Sequence, residues 1–197
     1  MWNEHKIIDY LQKNLTPERY DHSLSVRDTS IALAHHYKAD ANNARLAGLA
    51  HDCAKNMEDE KILYTIEKFG YNIEGIYKRT PNLMHGLAGA IVAKHIMDIE
   101  DEDVLNSIRF HTTGRKNMSI LEKIIYIADY IEPMRDFPGV DELRKLAYVN
   151  LDEVLLLSFD NTIKYVIEKG MLLHLDTIEA RNSILCNKIL EKSIWGI

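Results

Sequence analysis

Cysteine is nearly absent from this chain of 197 residues, which contains only Cys53 and Cys186. Two isolated cysteines are too few for a disulfide framework or a zinc ribbon, so we interpret both as thiols in a reducing compartment. Long apolar segments are also absent. The longest uninterrupted run covers residues 124–128, whereas a membrane-spanning helix needs about 20 apolar residues. Because residues 1–15 contain charged side chains where the apolar part of a signal peptide would lie, we expect a cytoplasmic protein without a membrane partner.

Positive charge is in deficit, since 24 Lys and Arg stand against 30 Asp and Glu, a formal net charge of −6. This balance argues against broad binding to nucleic acid. An anionic substrate would therefore have to be held locally, by metal ions and a few lysines or arginines. The length and the 46% hydrophobic content are ordinary for a single globular domain over residues 1–197.

Proline is scarce, with four residues, and no β-branched run alternates with polar residues for long enough to predict a strand. Helical periodicity recurs instead. Start and stop signals, such as Thr16-Pro17 at one start and Gly70 at one end, divide the chain into segments. We predict an all-α, single-domain helical bundle. Its predicted helices cover residues 16–37, 40–55, 58–69, 85–97, 101–111, 119–132, 141–158 continuing to 168, and 176–192.

Asp129 is out of place in its predicted helix, because residues 124–131 are otherwise apolar on every side. A helix that is apolar all round is a buried helix. A buried carboxylate is costly unless it is paired or binds a metal. Asp129 is therefore a candidate metal ligand, and an aspartate bonded to an arginine or to the backbone is the alternative.

His51 and Asp52 form an adjacent pair among small apolar residues. Neighbouring residues of a helix point about 100° apart, so this pair converges only on something close to the helix, such as a metal ion. Lys55 follows one turn later on the same face. It is a candidate phosphate ligand, and a structural salt bridge is the alternative.

Other histidines lie beside informative neighbours. His85 precedes G-L-A-G-A-I-V-A, whose glycines permit close helix packing, and His111 precedes T-T-G-R, where Arg115 could grip a phosphate. His22 follows Arg19 by one turn. We expect His85 and His111 at helix ends. Any one histidine taken alone is better explained as a structural residue, and we leave five in that class: His5, His35, His36, His95 and His174.

Six residues considered together change this interpretation. Four histidines and two aspartates spread over five predicted helices fit a two-metal site. Imidazole ligands favour a transition metal over magnesium or calcium, which leaves Fe, Mn, Co, Ni and Zn open. The six candidate ligands are His22, His51, Asp52, His85, His111 and Asp129.

The ordered pattern His, His-Asp, Asp resembles the HD superfamily of metal-dependent phosphohydrolases. More narrowly, the chain is similar to the bacterial YqeK-type HD proteins, which are symmetrical diadenosine-tetraphosphate hydrolases. The similar stretches run from residue 19 to residue 182. They include R-Y-D-H-S-L-S-V, A-R-L-A-G-L-A-H-D-C-A-K, H-G-L-A-G-A, F-H-T-T-G-R-K-N-M-S, I-A-D-Y-I-E-P-M-R-D-F-P-G-V-D-E-L-R and T-I-E-A-R-N.

The resemblance implies that one divalent metal is held by His22, His51, Asp52 and Asp129. Asp52 would bridge to a second metal held by His85 and His111. It implies iron at both positions and hydrolysis of a nucleotide substrate, diadenosine tetraphosphate, to two ADP. Asp52, Lys55 and Arg115 would take part in catalysis. The residues expected to bind substrate are Arg19, Lys55, Thr112, Arg115, Glu132, Arg135 and Asn182.

Two other functions stay open at this point. The first is another HD phosphohydrolase acting on nucleoside monophosphates, dNTPs or cyclic dinucleotides, although the cyclic-dinucleotide class has a G-Y-P signature that this chain lacks. The second is a non-catalytic nucleotide sensor that keeps its metals for structure. A homodimer is left open as well.

Overall fold

Residues 2–73 and 80–195 are described by the computed structural model of the protein, and within them the regular structure is entirely α-helical. The predicted all-α class is confirmed. The described helices are α1 (Glu4–Asn14), α2 (Pro17–Tyr37), α3 (Ala41–Ala50), α4 (Asp59–Lys68), α5 (Pro81–His95), α6 (Glu102–Arg109), α7 (Ile120–Ile131), α8 (Val140–Leu146), α9 (Leu151–Glu168) and α10 (Leu175–Trp195). None of them is both long enough and apolar enough to cross a membrane.

Side-chain caps explain why several helices begin where the sequence predicted. The Thr16 hydroxyl accepts the Arg19 amide at the start of α2. At the start of α7, Ser119 and Glu122 form a reciprocal capping box, each side chain accepting the other residue's backbone amide. Each such cap satisfies a backbone donor that the helix itself leaves unpaired, which stabilises a helix by about 1 kcal/mol.

The prediction missed one helix and placed three other boundaries wrongly. Helix α1 was not expected; its short apolar stripe, Ile7 and Leu11, is completely buried. The predicted helix 141–168 divides into α8 and α9, because the side chain of Asn150 caps a new helix start. Helix α5 begins at Pro81, so its histidine lies inside the helix and not at its end. Helix α3 ends at Ala50, after which the chain continues in turns through residues 51–56.

The start of α10 also differs from the prediction. Asp176 was expected to cap this helix together with Glu179. Instead, helix α10 begins at Leu175, and the His174 imidazole accepts the Asp176 backbone amide. The histidine therefore acts as the cap, and Asp176 lies in the first turn.

Helix α7 lies at the centre of the bundle, packed against α2, α3, α6, α8 and α9. Its isoleucines Ile124, Ile125 and Ile127 have no exposed surface, as predicted for a helix that is apolar all round. Helices α4 and α5 pack against each other around a smaller apolar cluster. Helix α6 joins the two parts, because it contacts α3, α5 and α7.

Helices α5 and α6 approach each other closely at Gly86. A methyl group added there would lie 2.6 Å from the carbonyl oxygen of Arg109, which is backbone and cannot rotate away. At Gly89, one turn later, the nearest atom would be a side-chain methyl of Ile108 at 3.3 Å. Gly86 therefore sets the distance between the two helices, whereas Gly89 leaves some room.

We expect Gly86→Ala to destabilise the protein by about 1–3 kcal/mol, because the helices must separate to admit the methyl group. In a chain of this length, each kcal/mol lowers the melting temperature by about 2–4 °C. Gly89→Ala is the matched control and should be neutral or slightly stabilising, since alanine favours a helix interior. Thermal unfolding of both variants checks this, and equal losses would show that the close approach at Gly86 is unimportant.

Candidate metal centre

Five segments converge on one buried point and bring the six candidate ligands together. His22 lies on α2, His85 on α5 and Asp129 on α7, while His51-Asp52 and His111 follow the ends of α3 and α6. The four histidines and Asp52 are at most 5% exposed. Asp129 has 19% of its side chain exposed, so the cluster opens towards solvent on that side.

The first group of ligand atoms comprises His22, His51 and Asp129. The His22 Nε2 atom lies 3.0 Å from Asp129 Oδ1 and 3.3 Å from His51 Nε2. Asp52 contributes its Oδ2 atom, 3.6 Å from His51 Nε2 and 3.8 Å from His22 Nε2. These four residues are the ones that the resemblance assigns to one metal.

The second group forms around the other oxygen of Asp52. The Oδ1 atom lies 3.0 Å from His85 Nε2 and 3.4 Å from His111 Nε2, and these two nitrogens are 3.0 Å apart. Each oxygen of the Asp52 carboxylate thus faces a different group of imidazoles. This is the arrangement expected of a carboxylate that bridges two ions.

Contacts at Nδ1 determine which imidazole nitrogens face the centre without a proton. The Nδ1 atoms of His51 and His111 each lie 2.7 Å from a carbonyl oxygen three residues earlier, on Gly48 and Ile108. A carbonyl only accepts, so Nδ1 must carry the proton in both rings. The Nε2 lone pairs therefore point inwards, as metal coordination requires.

Burial favours the neutral form of His51 and His85. It lowers the pKa of His51 to about 4, against the opposing effect of the neighbouring Asp52 and Asp129 carboxylates. Burial also lowers the pKa of His85. For Asp52, burial acts to raise the pKa, but the charge of His51 and hydrogen bonds from His111 and His85, each in its protonated form, outweigh burial, and the pKa lies well below its usual range. At neutral pH the centre therefore offers the neutral imidazoles of His51 and His85 and the ionised carboxylate of Asp52.

The donor set fits metal ions better than it fits hydrogen bonding. His22 Nδ1 faces the Glu132 carboxylate at 3.1 Å, so His22 and His51 present two acceptor nitrogens to each other. Their separation of 3.3 Å is that of neighbouring ligands bound about 2.1 Å from one ion. Asp52 Oδ1 is fully buried, and while the facing Nε2 atoms carry no proton it has no hydrogen-bond partner within the described part of the chain. A cation on either side would satisfy it.

Three cationic side chains border the ligands. Arg19 donates to Asp52 Oδ2 at 2.8 Å, Arg135 donates to Asp129 Oδ1 at 2.6 Å, and Lys55 Nζ lies 3.5 Å from His85 Nε2. All three line one solvent-open cleft of about 910 Å³, whose wall includes His22. The arginine partner weighed as the alternative for Asp129 is therefore present alongside the candidate metal ligands.

Other expected substrate residues lie elsewhere. The Arg115 guanidinium donates to Glu122 at 2.6 Å, and that carboxylate also accepts the Ser119 amide in the α7 cap. Asn182 lines a separate surface depression on α10 and accepts a hydrogen bond from Arg181. Thr112 has a buried hydroxyl that lacks a partner among the residues described. Neither Arg115, Thr112 nor Asn182 lines the cleft beside the ligands.

Glu132 has a contact that the sequence analysis missed. Its side chain is 1% exposed and accepts from His22 Nδ1, from the Ser25 hydroxyl at 2.7 Å and from the Met134 amide at 2.7 Å. Burial acts to raise its pKa, but these donors outweigh burial and lower it. An ionised Glu132 behind His22 holds the ring so that Nε2 faces the centre. The sequence did contain one indication of this role, because Glu132 follows the candidate ligand Asp129 by three residues.

The helical fold and the two groups of histidine and aspartate ligands that share Asp52 define the class of protein. Residues 19–134 match the family described as HD domain, and this range contains all six candidate ligands. The chain belongs to the HD domain family, as the order of His22, His51-Asp52 and Asp129 predicted.

Individual proteins similar to this chain give a more specific comparison than the family does. A protein of Halalkalibacterium halodurans named "Bis(5'-nucleosyl)-tetraphosphatase, symmetrical" is 41% identical over 93% of this chain and 97% of its own length. A Bacillus subtilis protein of the same name is 38% identical over 91% and 96%. A Clostridium acetobutylicum crystal structure, described as a predicted HD superfamily hydrolase involved in NAD metabolism, shares 58% identity. It superposes with a TM-score of 0.93 over 95% of this chain and 99% of that one. The narrower resemblance is thereby confirmed.

We expect Glu132→Gln to weaken metal binding by about 10–100-fold, the usual effect of losing the group that orients a ligating histidine. Glu122→Gln is the matched control, because Glu122 is equally buried at 1% exposure but contacts Arg115 and Ser119 and no ligand. Calorimetric titration of the demetallated variants with Mn²⁺ provides the measurement. Equal loss of affinity in both variants would assign Glu132 a purely structural role.

Proposed function

We propose that this protein is a metal-dependent hydrolase that cleaves diadenosine tetraphosphate, and related dinucleoside polyphosphates, symmetrically into two nucleoside diphosphates. One observation is central to the proposal: a buried carboxylate, Asp52, has each oxygen facing a separate group of imidazoles. The names of the two relatives that match nearly the whole chain support the substrate and the symmetry of cleavage.

The metal assignment within this proposal follows the two groups of ligand atoms. His22, His51, Asp52 and Asp129 would hold one ion, and Asp52, His85 and His111 the other. We propose iron for both. Such ions, when bound, lower the pKa of a water towards neutrality and neutralise phosphate oxygens.

The cations of the cleft would hold the polyphosphate. Arg19 and Arg135 have 30% and 38% of their side chains exposed, so each can turn towards a ligand in the cleft. Planar guanidinium groups bind phosphate oxygens through two parallel hydrogen bonds, and Lys55 adds a point charge beside His85. These groups orient the phosphate chain and stabilise the charge that develops on the oxygens of the bond being broken.

Three further statements stay predictions: a cytoplasmic location, the absence of nucleic-acid binding, and the option of a homodimer. The net charge of −6 and the two unpaired cysteines support the first two.

The reaction is tested by identifying the products. The protein, incubated with diadenosine tetraphosphate, should release ADP as its single nucleotide product, because symmetrical cleavage breaks the central phosphoanhydride bond. Separation of the nucleotides by ion-exchange chromatography is the measurement, and treatment with a strong chelator should abolish the activity. Formation of ATP and AMP, or full activity after metal removal, would contradict the proposal.

The two cations expected to act in catalysis should behave differently. Lys55→Ala should lower kcat/KM by about 100-fold or more while metal content is retained, because Lys55 lies beside the ligands and is not one of them. Arg115→Ala should chiefly lower the melting temperature, since it leaves the Glu122 carboxylate buried without its cation.

Metal analysis, steady-state kinetics and thermal unfolding of both variants make the comparison. A large kinetic loss in Arg115→Ala at unchanged stability would restore Arg115 to the substrate site. Loss of metal in Lys55→Ala would instead make Lys55 part of the structure of the centre.

A further inference from the structure

The segment of residues 131–135, where α7 ends, carries partners of two candidate ligands. The Glu132 carboxylate faces His22 Nδ1 at 3.1 Å, and the Arg135 guanidinium donates to Asp129 at 2.6 Å. Both contacts start from the backbone of one short stretch of chain. A shift of this backbone would therefore move the partners of both ligands at once.

One side chain of α8, Arg144, binds this segment through its backbone carbonyl oxygens. Its Nε atom donates to the carbonyl of Ile131 at 2.9 Å. Its Nη2 atom donates to the carbonyls of Glu132 at 2.9 Å and Arg135 at 2.7 Å, and lies 3.4 Å from that of Pro133. Four carbonyl oxygens of the segment thus converge on one guanidinium group.

The end of α7 explains why a guanidinium group suits this position. The last carbonyls of a helix have no amide partner within the helix, and the helix dipole gives this end a partial negative charge. Arginine supplies five N–H donors in one rigid plane together with a positive charge. Lysine is a point charge on a flexible stem, so it keeps the charge and loses the fixed geometry.

Arg144 is anchored by the packing of α8 and not by its ion pair. Helix α8 packs against α7 and α9, with Val140 and Leu143 each 6% exposed. The Nη1 atom of Arg144 donates to Asp141 at 2.7 Å, but that side chain is 75% exposed, and an ion pair in such a place contributes little. The carbonyls at the end of α7 are therefore the partners that matter for Arg144.

The connection from Arg144 to the centre runs through Glu132. The Glu132 carboxylate is 1% exposed and accepts from the Ser25 hydroxyl and from the Met134 amide, which belongs to the segment that Arg144 binds. Arg144 thus holds the backbone of Glu132 and of a donor to its carboxylate. In the sequence, Arg144 is the last residue of the stretch I-A-D-Y-I-E-P-M-R-D-F-P-G-V-D-E-L-R, and the fold returns it to the middle of that stretch.

We propose that Arg144 is a positioning residue of the metal centre, which fixes the backbone of residues 131–135 so that the Glu132 carboxylate orients the ring of His22. This inference rests on the proposed function, since it assumes that His22 binds a metal ion. Without the guanidinium fork the segment shifts, the ring loses its fixed orientation, and Nε2 no longer faces the centre at all times. Arg144 acts through Glu132 and touches neither metal nor substrate.

The test measures the affinity of demetallated variants for Mn²⁺ by calorimetric titration. Arg144→Lys should raise the Kd about 10-fold, the lower end of the usual effect of losing a group that orients a ligating histidine. Arg27→Lys is the matched control, because Arg27 joins α2 to α1 through Glu4 at 3.0 Å and lies on the same helix as His22. This control should leave the Kd unchanged, even where thermal unfolding shows that it is destabilised as much as Arg144→Lys.

A double-mutant cycle with Glu132→Ala tests whether Arg144 acts through Glu132. Once the carboxylate is gone, the position of its backbone no longer affects His22, so Arg144→Lys should change the Kd in this background by less than about 2-fold. A 10-fold loss in both backgrounds would show that Arg144 acts by another route and would overturn the inference. If the double variant does not fold, the comparison of Arg144→Lys with Arg27→Lys decides alone.

Two further results would contradict the positioning role. An unchanged Kd in Arg144→Lys, or an equal loss in Arg144→Lys and Arg27→Lys, would leave Arg144 with a structural role only. Binding of Mn²⁺ and hydrolysis of diadenosine tetraphosphate by the wild type are measured in parallel. If both are present while Arg144→Lys binds Mn²⁺ as the wild type does, the positioning role alone is wrong and the proposed function stands. If the wild type binds no Mn²⁺, both are wrong.

Discussion

The carboxylate of Asp52 is the group on which the rest of the site depends. It is buried, and its two oxygens face separate groups of imidazoles. A buried negative charge is tolerated when cations or hydrogen-bond donors surround it. Imidazole lone pairs directed inwards do not meet that need, and Arg19 reaches only one of the two carboxylate oxygens. Metal ions between Asp52 and the histidines would neutralise the carboxylate and accept the imidazole lone pairs.

The bundle orients these ligands with contacts made inside single helical segments. His51 and His111 each follow the end of a helix and donate from Nδ1 to the carbonyl three residues earlier. The last carbonyls of a helix have no partner within the helix. One hydrogen bond therefore completes the helix end and also turns Nε2 towards the centre. His22 lies inside α2, where the backbone carbonyls are already used, so it needs the separate carboxylate of Glu132.

The cationic side chains that border the ligands lie on one side of the centre. Arg19, Lys55 and Arg135 border the ligands on one side, while Leu87 and Phe110 lie on the other. Since the chain as a whole is acidic, this local cluster of cations is what attracts an anionic ligand. The close approach of α5 and α6 at Gly86 keeps His85 and His111 within 3.0 Å of each other between these two environments.

Most of the helices and all six candidate metal ligands could be predicted from the sequence alone. Helix periodicity and caps such as Thr16 and Ser119 predicted most helices, because those signals act between residues three or four apart. The six candidate ligands were also identifiable, since Asp129 and His51-Asp52 are polar side chains in segments with no solvated face. Helices with few apolar residues were harder to predict. Helix α1 buries only Ile7 and Leu11, and two residues do not form a recognisable apolar pattern among charged neighbours.

Only the tertiary structure shows which groups the remaining polar residues contact. Glu132, Arg115 and Arg135 look alike in sequence as charged residues inside family-like motifs. In the fold, Glu132 lies behind His22, Arg115 pairs with Glu122, and Arg135 reaches the cleft. A pocket lined by Ile73, Leu87, Phe110 and Asp176 combines residues from four separate segments of the chain. Such contacts depend on which helices pack against each other. A local sequence pattern shows which face of a helix is buried, but it does not show which other helix covers that face.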